Sequence, residues 1–597
     1  MKRKRIAELD ILRVISLFMI CIYHWFYYKG TYIGVVVFFA LSGYLFTEGL
    51  LSKEFSVWST IKKRMSKIYP SLLAVVLAST VILYFLNQGL EVKYKLSALS
   101  SILGLNNIYQ IMSKMSYFDN YGVLLPLTHI WALSFQMQMY VALPLIVKGL
   151  KKINLKNRTI GIIFLLISIV SAFWMGYKFY MKADFSRIYY GTDTRAFAFF
   201  AAAAAACFYN GRQIEKKWEK RTIYILGISG FLLLAVFSVT VDYKNEYNYY
   251  GLMYLVSILT AFTIILFSKG LLKLFTFPFL KFLEKPVIKL GEHQYQYYLW
   301  QYPVMIFSRE LFKWSKLSYA QQFIFQIIIL IVISEICYYL FEKREISPLN
   351  YIILGLTGGF LIASPIYVNK DLEEMKKIQE EIAKGTGQPS KEKIGEEKAV
   401  SPEEGTEKKA SGAAVPQTGS KNLSPEEDLK YQEELLASLP ADERDILFIG
   451  DSVMEMGKID LKKKYPNGVI ETKVGRQFHE LPDLLSYYSK TGKLRKIIVI
   501  GLGSNGTIYA KDMEKVIKIL EGHKIYFVNT VVPDPWEESV NREIKNVAAS
   551  RPDIGIIDWY SYAKGKKEYF YKDGTHPRPH ASKRYVNLIY FEVSNKK

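Results

Sequence analysis

Long apolar stretches recur along the first 367 residues of the chain and then stop. A helix needs about 20 mainly apolar residues to cross a bilayer, and most of these stretches have that length. They predict a polytopic helical membrane domain over residues 1–367 with eleven spans, of which the alanine-rich segment 194–210 is the shortest. The predicted spans are 9–28, 33–51, 70–88, 128–147, 159–177, 194–210, 222–241, 250–268, 291–309, 320–341 and 350–367.

The basic residues between these spans predict the orientation of the chain. With the N-terminus in the cytoplasm, the inner segments carry 26 lysines and arginines, more than twice the number in the outer loops. This is the asymmetry that the positive-inside rule requires. Because eleven is odd, everything after residue 367 is expected outside the cytoplasm. The apolar run behind Met1–Arg5 is too long for a signal peptide and is interpreted as a retained first span.

The pattern changes twice after the last predicted span. Residues 368–440 are rich in Glu, Lys, Ser, Gly and Pro, so they predict a flexible extracytoplasmic linker, with helical tendency near 370–384 and 425–438. From residue 441 short apolar runs alternate with helical patterns, which predicts an α/β/α domain around a parallel sheet. In such sheets the active site lies at the carboxyl ends of the strands. The strand-like runs are Asp445–Gly450, Lys496–Gly501, Lys524–Val532 and Ile554–Trp559.

Charge and cysteine content exclude several classes of protein. The formal net charge of the 597-residue chain is +22, but its basic residues cluster in short loops between spans, which argues against a nucleic-acid partner. The cysteines, Cys21, Cys207 and Cys337, all lie in apolar runs, so no disulfide framework is expected after residue 367. No metal site is predicted. Because of the apolar spans, the first expected partner is the lipid bilayer of the cell membrane.

A serine follows the first predicted strand of the C-terminal domain. Ile446–Gly450 runs into Asp451 and Ser452, and a serine on a tight turn after a core strand is placed to be a nucleophile. On its own, the tripeptide Gly450-Asp451-Ser452 is more often a plain turn. Two later segments favour the catalytic interpretation. Gly475 can offer a backbone N–H and Asn505 a side-chain amide, and with the N–H of Ser452 they make three donors for the oxyanion of an acyl-transfer intermediate.

A histidine near the C-terminus supplies the base. Asp573 stands three residues before His576, on a loop that enters the last predicted helix. At that spacing the carboxylate can orient the imidazole and stabilise its charge, so His576 is predicted to be the general base for Ser452. The other histidines of this domain are interpreted as surface residues: His479, His523 and His580.

The order of these blocks resembles the SGNH family of hydrolases and transferases over about residues 441–597. The four blocks lie at Ser452, Gly475, Asn505 and His576. The resemblance implies a flavodoxin-like α/β/α fold and acyl chemistry through a Ser/His/Asp triad, without separating a transferase from an esterase. A further resemblance, to the extracellular domains of peptidoglycan O-acetyltransferases, rests on Val531–Pro533, Trp536, Asn541 and Ile557–Trp559.

Two ionisable residues lie within the first predicted span. Arg13 and His24 are eleven residues apart, about three helical turns, which places them on one face and separates them by ~16 Å. Ionisable groups inside a span are costly and are functional candidates by default. The alternatives are an Asp10–Arg13 pair that holds the start of the helix and a His24 that reaches outward to the interface.

The polar motifs of the spans resemble the acyltransferase-3 membrane family over about residues 5–345. They are Arg13 to His24, Phe38-Phe39, Ser42–Tyr44, Arg64 with Lys67, His129–Ser134, Asp193–Arg195 and Tyr298–Trp300. The resemblance implies that the spans accept an acyl group from a cytoplasmic acyl-CoA donor, acetyl-coenzyme A, and pass it outward, with no bound cofactor.

The same resemblance implies roles for individual residues. Arg13 and His24 match positions expected to be essential, with His24 in a catalytic role. Arg64 and Lys67 match a basic pair expected to meet the phosphates of the donor. Tyr190, at the outer face, is a candidate for carrying the acyl group transiently.

The chain departs from this family pattern at four positions, Lys67, Gln136, Gln301 and Tyr302. Many relatives have Glu in place of Gln136, so no acid role is assigned there. Gln301 begins Gln-Tyr-Pro where many relatives have His-Trp-Pro, and Lys67 replaces an arginine, which keeps the charge but loses the planar fork.

The two resemblances together predict a membrane O-acetyltransferase with an extracytoplasmic catalytic domain. Acetyl is expected to pass to Ser452 as an acyl-enzyme and then to the C6 hydroxyl of muramic acid in cell-wall peptidoglycan. The alternatives are another envelope glycan as acceptor (capsule, teichoic acid or lipopolysaccharide), an esterase, and a transporter or envelope sensor with a decayed catalytic domain. The complete set of Ser452, His576 and Asp573 argues against decay.

Overall fold

The described part of the chain forms two compact units, Met1–Tyr367 and Val368–Lys597. The computed structural model describes residues 5–26, 28, 30–51, 54–87, 90–113, 125–181, 183–241, 245–312, 317–343, 347–366, 424–534 and 536–594.

The first unit is built from α-helices. They are α1 (Ala7–Phe26), α2 (Gly34–Leu51), α3 (Val57–Asn87), α4 (Val92–Ile102), α5 (Asn106–Met112), α6 (Ile130–Lys152), α7 (Asn157–Tyr180), α8 (Phe185–Tyr190), α9 (Thr192–Tyr209), α10 (Lys217–Thr240), α11 (Leu252–Ser268), α12 (Pro278–Lys281), α13 (Glu284–Phe312), α14 (Tyr319–Cys337) and α15 (Ser347–Ala363). A π-helical turn, Tyr338–Glu342, continues α14.

Each of the eleven predicted spans coincides with one of these helices. By length and composition, seven helices of the described residues are able to cross a membrane, and α11 is a shorter apolar helix. The first unit is therefore a multi-pass membrane domain, while the number of eleven spans stays a prediction. The predicted loop between the third and fourth spans contains α4 and α5, which are too short to cross a bilayer.

Helix α9, the shortest predicted span, is enclosed by other helices. Every residue from Thr194 to Cys207 is buried. A Cβ added to Gly43 of α2 would lie 2.1 Å from the carbonyl oxygen of Phe199, so only glycine allows α2 and α9 to approach this closely. Small residues give helices in membranes this close contact. The run Ala201–Ala206 thus belongs to a helix that faces protein, which explains its weak resemblance to a lipid-facing span.

The second unit contains a five-stranded parallel sheet with the strand order β2-β1-β3-β4-β5. Side chains of β1 alternate between two apolar clusters, with Ile446 and Phe448 in one and Leu447 and Ile449 in the other. The predicted parallel sheet covered on both faces is therefore confirmed. The strands are β1 (Ile446–Gly450), β2 (Val469–Thr472), β3 (Ile497–Gly501), β4 (Lys524–Val528) and β5 (Ile554–Ile557).

The helices of the second unit begin before the predicted domain boundary. They are α16 (Pro425–Ser438), α17 (Ser452–Met456), α18 (Lys458–Lys464), α19 (Leu481–Lys490), α20 (Ala510–Ile519), α21 (Glu537–Ser550), α22 (Trp559–Ala563) and α23 (Pro579–Ser594).

Helix α16 corrects the predicted end of the linker. It opens with a capping box on Ser424 and packs on α23. Asp428 and Arg584 form a buried ion pair, with Nε of Arg584 2.8 Å from Oδ2, and the Asn587 amide donates to Gln432 at 2.8 Å. The linker predicted over 368–440 is therefore too long at its C-terminal end. The helical tendency near 370–384 lies outside the described residues.

Candidate active site

Ser452 lies at the carboxyl end of β1 and begins the short helix α17. The preceding residue, Asp451, caps this helix, because its Oδ1 accepts the N–H of Val453 at 2.9 Å. Ser452 is 1% exposed, and its Oγ has no hydrogen-bond partner among the described residues. A buried hydroxyl without a partner is unusual in a folded protein and calls for a functional explanation.

Asp573 holds His576 in one orientation. Its Oδ1 accepts the backbone N–H groups of Thr575 and His576 at 2.8 and 3.0 Å, and its Oδ2 lies 2.6 Å from Nδ1 of the imidazole. Because a carboxylate only accepts, Nδ1 carries the proton and Nε2 of a neutral ring is the basic nitrogen. Burial alone would lower the pKa of His576, but the hydrogen bond and charge of Asp573 outweigh it and raise that pKa above its ordinary value. Burial would raise the pKa of Asp573, yet its bonds to His576 keep it lowered.

Asp451 connects the serine and histidine segments electrostatically. Its charge also raises the pKa of His576, which brings the residue before Ser452 into the same site as the imidazole. Oδ2 of Asp451 accepts the hydroxyl of Ser504 at 2.7 Å, and its backbone N–H donates to the carbonyl of Gly501 at 3.1 Å. Burial raises the pKa of the Asp451 carboxyl. The ends of β1 and β3 are thus tied together beside Ser452.

The loops that carry Gly475 and Asn505 are also in contact. Gly475 has φ +76°, a conformation that favours glycine. The side-chain amide of Asn505 donates to the carbonyl of Arg476 at 3.2 Å. Arg476 is buried, and its guanidinium donates to the carbonyl of Gly450 at 3.2 Å and to Glu471 at 2.6 Å. The loops that carry Ser452, Gly475 and Asn505 are therefore joined at the carboxyl ends of β1 and β3.

Sequence reasoning missed three of the residues that hold these loops together: Asp451, Arg476 and Ser504. Each of the three adjoins a predicted site residue: Asp451 precedes Ser452, Arg476 follows Gly475 and Ser504 precedes Asn505. Only Asp451 gives a further usable signal, because it is a charged residue that directly follows a buried strand. The surface interpretation of His580 is wrong, because it is 4% exposed with its ring 5.7 Å from that of Tyr569.

In the membrane unit, Arg13 pairs with Asp10 at the start of α1. Asp10 is fully buried and also accepts Nε of Arg5 at 2.6 Å. The ion-pair alternative for Arg13 is thus present in the structure. Arg13 and His24 share α1, and the helical rise still separates them by ~16 Å.

His24 makes a buried hydrogen bond to Gln301 of α13, with Nδ1 2.7 Å from Oε1. The Gln301 Nε2 donates to the carbonyl of Tyr298 at 3.4 Å, which fixes the orientation of the amide. The amide oxygen can only accept, so Nδ1 of His24 carries the proton. The Tyr302 ring lies 5.0 Å from that of His24 and 5.1 Å from that of His129. From the sequence alone, Gln301 is only a departure from the family pattern, and nothing in it predicts the bond to His24.

The remaining predicted residues have separate surroundings. Tyr190 is 1% exposed, with its ring 5.3 Å from Trp131. The Arg64 guanidinium lies over Phe46, 4.8 Å from the ring centroid. Lys67 acts electrostatically on Glu342, and Gln136 donates to Ser42. The structure does not bring Arg64 and Lys67 onto a shared partner among the described residues.

Comparison with known proteins gives concordant matches for both units. A family model described as an acyltransferase domain matches residues 6–343. A putative peptidoglycan O-acetyltransferase of Bacillus subtilis is 27% identical over 98% of each chain. The O-acetyltransferase OatA of Staphylococcus aureus is 28% identical over 97% of this chain and 95% of its own. The C-terminal catalytic domain of a peptidoglycan O-acetyltransferase of Streptococcus pneumoniae, solved with a methylsulfonyl adduct, is 23% identical with a TM-score of 0.24, covering 25% of this chain and 93% of that domain.

Proposed function

Because the chain belongs to the acyltransferase family whose model matches residues 6–343, we propose that it transfers acetyl to the C6 hydroxyl of muramic acid in peptidoglycan. The chain is a multi-pass membrane acyltransferase. Its relatives named peptidoglycan O-acetyltransferase and O-acetyltransferase align with it over nearly the whole length, both units included, and this supports the acceptor.

The second unit is proposed to be an SGNH domain in which Ser452 carries the acetyl group. Its strand order, 2-1-3-4-5, is that of flavodoxin-like folds, whose ligands bind at the carboxyl ends of the strands. Two observations carry the proposal: the Asp573–His576 pair, and a buried Ser452 hydroxyl without a hydrogen-bond partner among the described residues. Asp451, the residue before Ser452, acts electrostatically on His576, which supports placing them in one site. Together Ser452, His576 and Asp573 are the parts of a Ser/His/Asp triad.

The reaction at Ser452 follows from these positions. Nε2 of His576 takes the hydroxyl proton as Ser452 adds to the acetyl carbonyl, and Asp573 stabilises the imidazolium. The N–H groups of Ser452 and Gly475 and the amide of Asn505 are proposed to stabilise the oxyanion. The imidazolium gives that proton to the leaving group of the acetyl donor as the acyl-enzyme forms. Neutral His576 then accepts the proton of a sugar hydroxyl that attacks the acetyl carbonyl, and returns it to the Ser452 oxygen as the ester product leaves.

The membrane unit is proposed to deliver acetyl from cytoplasmic acetyl-coenzyme A to the outer face. The basic residues of the inner segments and the odd number of predicted spans support an inner N-terminus and an outer second unit. Arg64 and Lys67 are proposed to meet the donor phosphates. His24 and Tyr190 are proposed to pass the acetyl group, and Arg13 to hold the start of α1 through Asp10.

Reconstitution of the full chain tests this function. Proteoliposomes loaded with isotope-labelled acetyl-coenzyme A receive muroglycans outside, and the products are analysed by mass spectrometry. Label on the muramic acid C6 oxygen is expected with the native chain and with Ser550→Ala, an exposed serine control, and is expected to vanish with Ser452→Ala. Label in free acetate alone indicates an esterase, and label only on a capsular or teichoic acceptor contradicts the peptidoglycan assignment.

A further inference from the structure

Arg195 is a buried cation with weak partners. It lies in the first turn of α9 and is 4% exposed. Its Nε donates to the carbonyl of Tyr189 at 2.7 Å, its Nη1 lies 3.0 Å from the sulfur of Met253, and its guanidinium lies 4.4 Å from the centroid of the Tyr189 ring. Its Nη2 is buried and has no hydrogen-bond partner among the described residues.

No described carboxylate neutralises Arg195. Asp193, two residues earlier, lies on a different side of the helix and binds Arg187 and Trp174, each with a contact of 2.8 Å. An unpaired buried charge is strongly destabilising, so evolution rarely keeps one inside a membrane domain without a function. The free Nη2 and the missing counter-charge both indicate an anionic ligand.

The surroundings of Arg195 specify the kind of anion. The Tyr189 ring lies 5.2 Å from Trp131 and 5.3 Å from Tyr190, which itself lies 5.3 Å from Trp131. One guanidinium next to a cluster of three aromatic rings suits a small group with a single negative charge. A phosphate or diphosphate carries more charge than one guanidinium can neutralise. Arg187, the nearest basic residue along the chain, cannot supply a second cation because it is paired with Asp193.

We propose that Arg195 binds the carbonyl oxygen of the acetyl group as that oxygen acquires negative charge in the membrane half of the transfer. This inference rests on the proposed function. The Tyr190 hydroxyl adds to the thioester carbonyl carbon while its proton passes to a base, and the carbonyl π pair moves onto the oxygen held by Arg195. As the double bond reforms, the C–S bond breaks and the thiolate leaves with that proton, giving acetyl-Tyr190 and coenzyme A.

The test uses the full chain in lipid nanodiscs. Arg195→Met is compared with Arg195→Lys and with the control Arg187→Met, which breaks a half-exposed ion pair of the same segment. Acetyl transfer from acetyl-coenzyme A is expected to fall about 10²–10³-fold in Arg195→Met, less in Arg195→Lys, and less than about threefold in the control. Ser452-dependent hydrolysis of a soluble acetate ester is expected to stay unchanged in all three.

A binding measurement tests the anion site at Arg195 independently of acetyl transfer. Sodium acetate, compared with sodium chloride at equal ionic strength, is expected to raise the melting temperature of the native chain and of Arg187→Met, but not of Arg195→Met. Equal stabilisation of Arg195→Met by acetate overturns the assignment. Arg195-dependent stabilisation by adenosine 3′,5′-bisphosphate, without an effect of acetate, also overturns it in favour of a donor phosphate. If the native chain transfers no acetyl yet acetate stabilises it through Arg195, the proposed function fails and the anion site stands.

Discussion

The two units each bury a histidine whose Nδ1 is held by an oxygen acceptor, but the acceptors differ in charge. In the second unit, His576 is held by the Asp573 carboxylate at 2.6 Å, and in the membrane unit, His24 is held by the Gln301 amide at 2.7 Å. Both partners fix the same tautomer. Only the carboxylate also stabilises an imidazolium, so the pair in the second unit suits proton transfer with charge separation, whereas in the membrane unit a neutral amide orients the ring of His24.

The largest expected effect comes from giving His576 of the second unit an uncharged amide partner like that of His24. Asp573→Asn keeps the size of the partner but removes its charge, and loss of this stabilisation and of the correct tautomer is expected to lower Ser452-dependent turnover about 10⁴-fold. Turnover of a soluble acetate ester by the full chain measures it, and circular dichroism checks folding. A loss of less than tenfold contradicts the role of Asp573.

A similar contrast between paired and unpaired charge extends to the buried arginines. Arg584 has a carboxylate partner, whereas Arg195 has none within the described ranges, and both side chains of the Asp428–Arg584 pair are 7% exposed. Asp428→Asn leaves the cation buried without its charge and is expected to cost about 3 kcal/mol of stability in the second unit. Denaturant unfolding of the full chain followed by tryptophan fluorescence tests this, with Glu426→Gln on the exposed side of α16 as the control.

Gln301→Leu is expected to have a smaller effect on the membrane unit. The substitution removes the acceptor that orients His24. Loss of a hydrogen bond that orients a functional histidine typically lowers activity about 10–100-fold. Acetyl transfer from acetyl-coenzyme A is the measurement, while ester hydrolysis at Ser452 is expected to stay unchanged. Gln301→Glu sharpens the comparison, because it gives His24 the charged partner that His576 has; an unaltered pH profile of transfer in that variant contradicts a role for His24 in proton transfer.

The smallest expected effect is a shift in pH dependence. In the proposed mechanism the base form of His576 is the active one, and its pKa is raised, so ester turnover is expected to rise with pH to a midpoint above the ordinary histidine value of about 6.5. Below that midpoint the imidazole is protonated and cannot accept the Ser452 proton. In Asp573→Asn the raising charge is lost while burial remains, so the residual activity is expected to have a lower midpoint. A midpoint that does not move indicates that another group titrates.

Sequence reasoning found the features that are local along the chain. Asp573 and His576 are three residues apart, and Ser452 directly follows an apolar strand, so their proximity follows from short-range geometry. The Gln301–His24 bond joins residues 277 positions apart on two helices, and no periodicity in one sequence reveals such a pairing. The membrane pattern predicted the helices but not which polar side chains meet between them.

The linker boundary was missed for a different reason. Helix α16 docks mainly through polar groups, with Asp428 and Gln432 bonded to Arg584 and Asn587 of α23. Its composition therefore resembles that of a solvated segment, although Leu436 is buried in the core of the unit. A hydropathy pattern cannot distinguish a charged residue in water from one in a buried ion pair.

The docking of α16 also has a mechanical consequence. A domain that is covalently joined to a membrane domain and works on a cross-linked wall experiences pulling forces along the chain. Tension that enters the second unit from residues before 424 loads α16 first, and the Asp428–Arg584 and Gln432–Asn587 contacts pass that load to α23. The chain runs from α16 directly towards β1, which ends at Gly450 just before Ser452, so a pull on α16 has to break these contacts before it loads that strand.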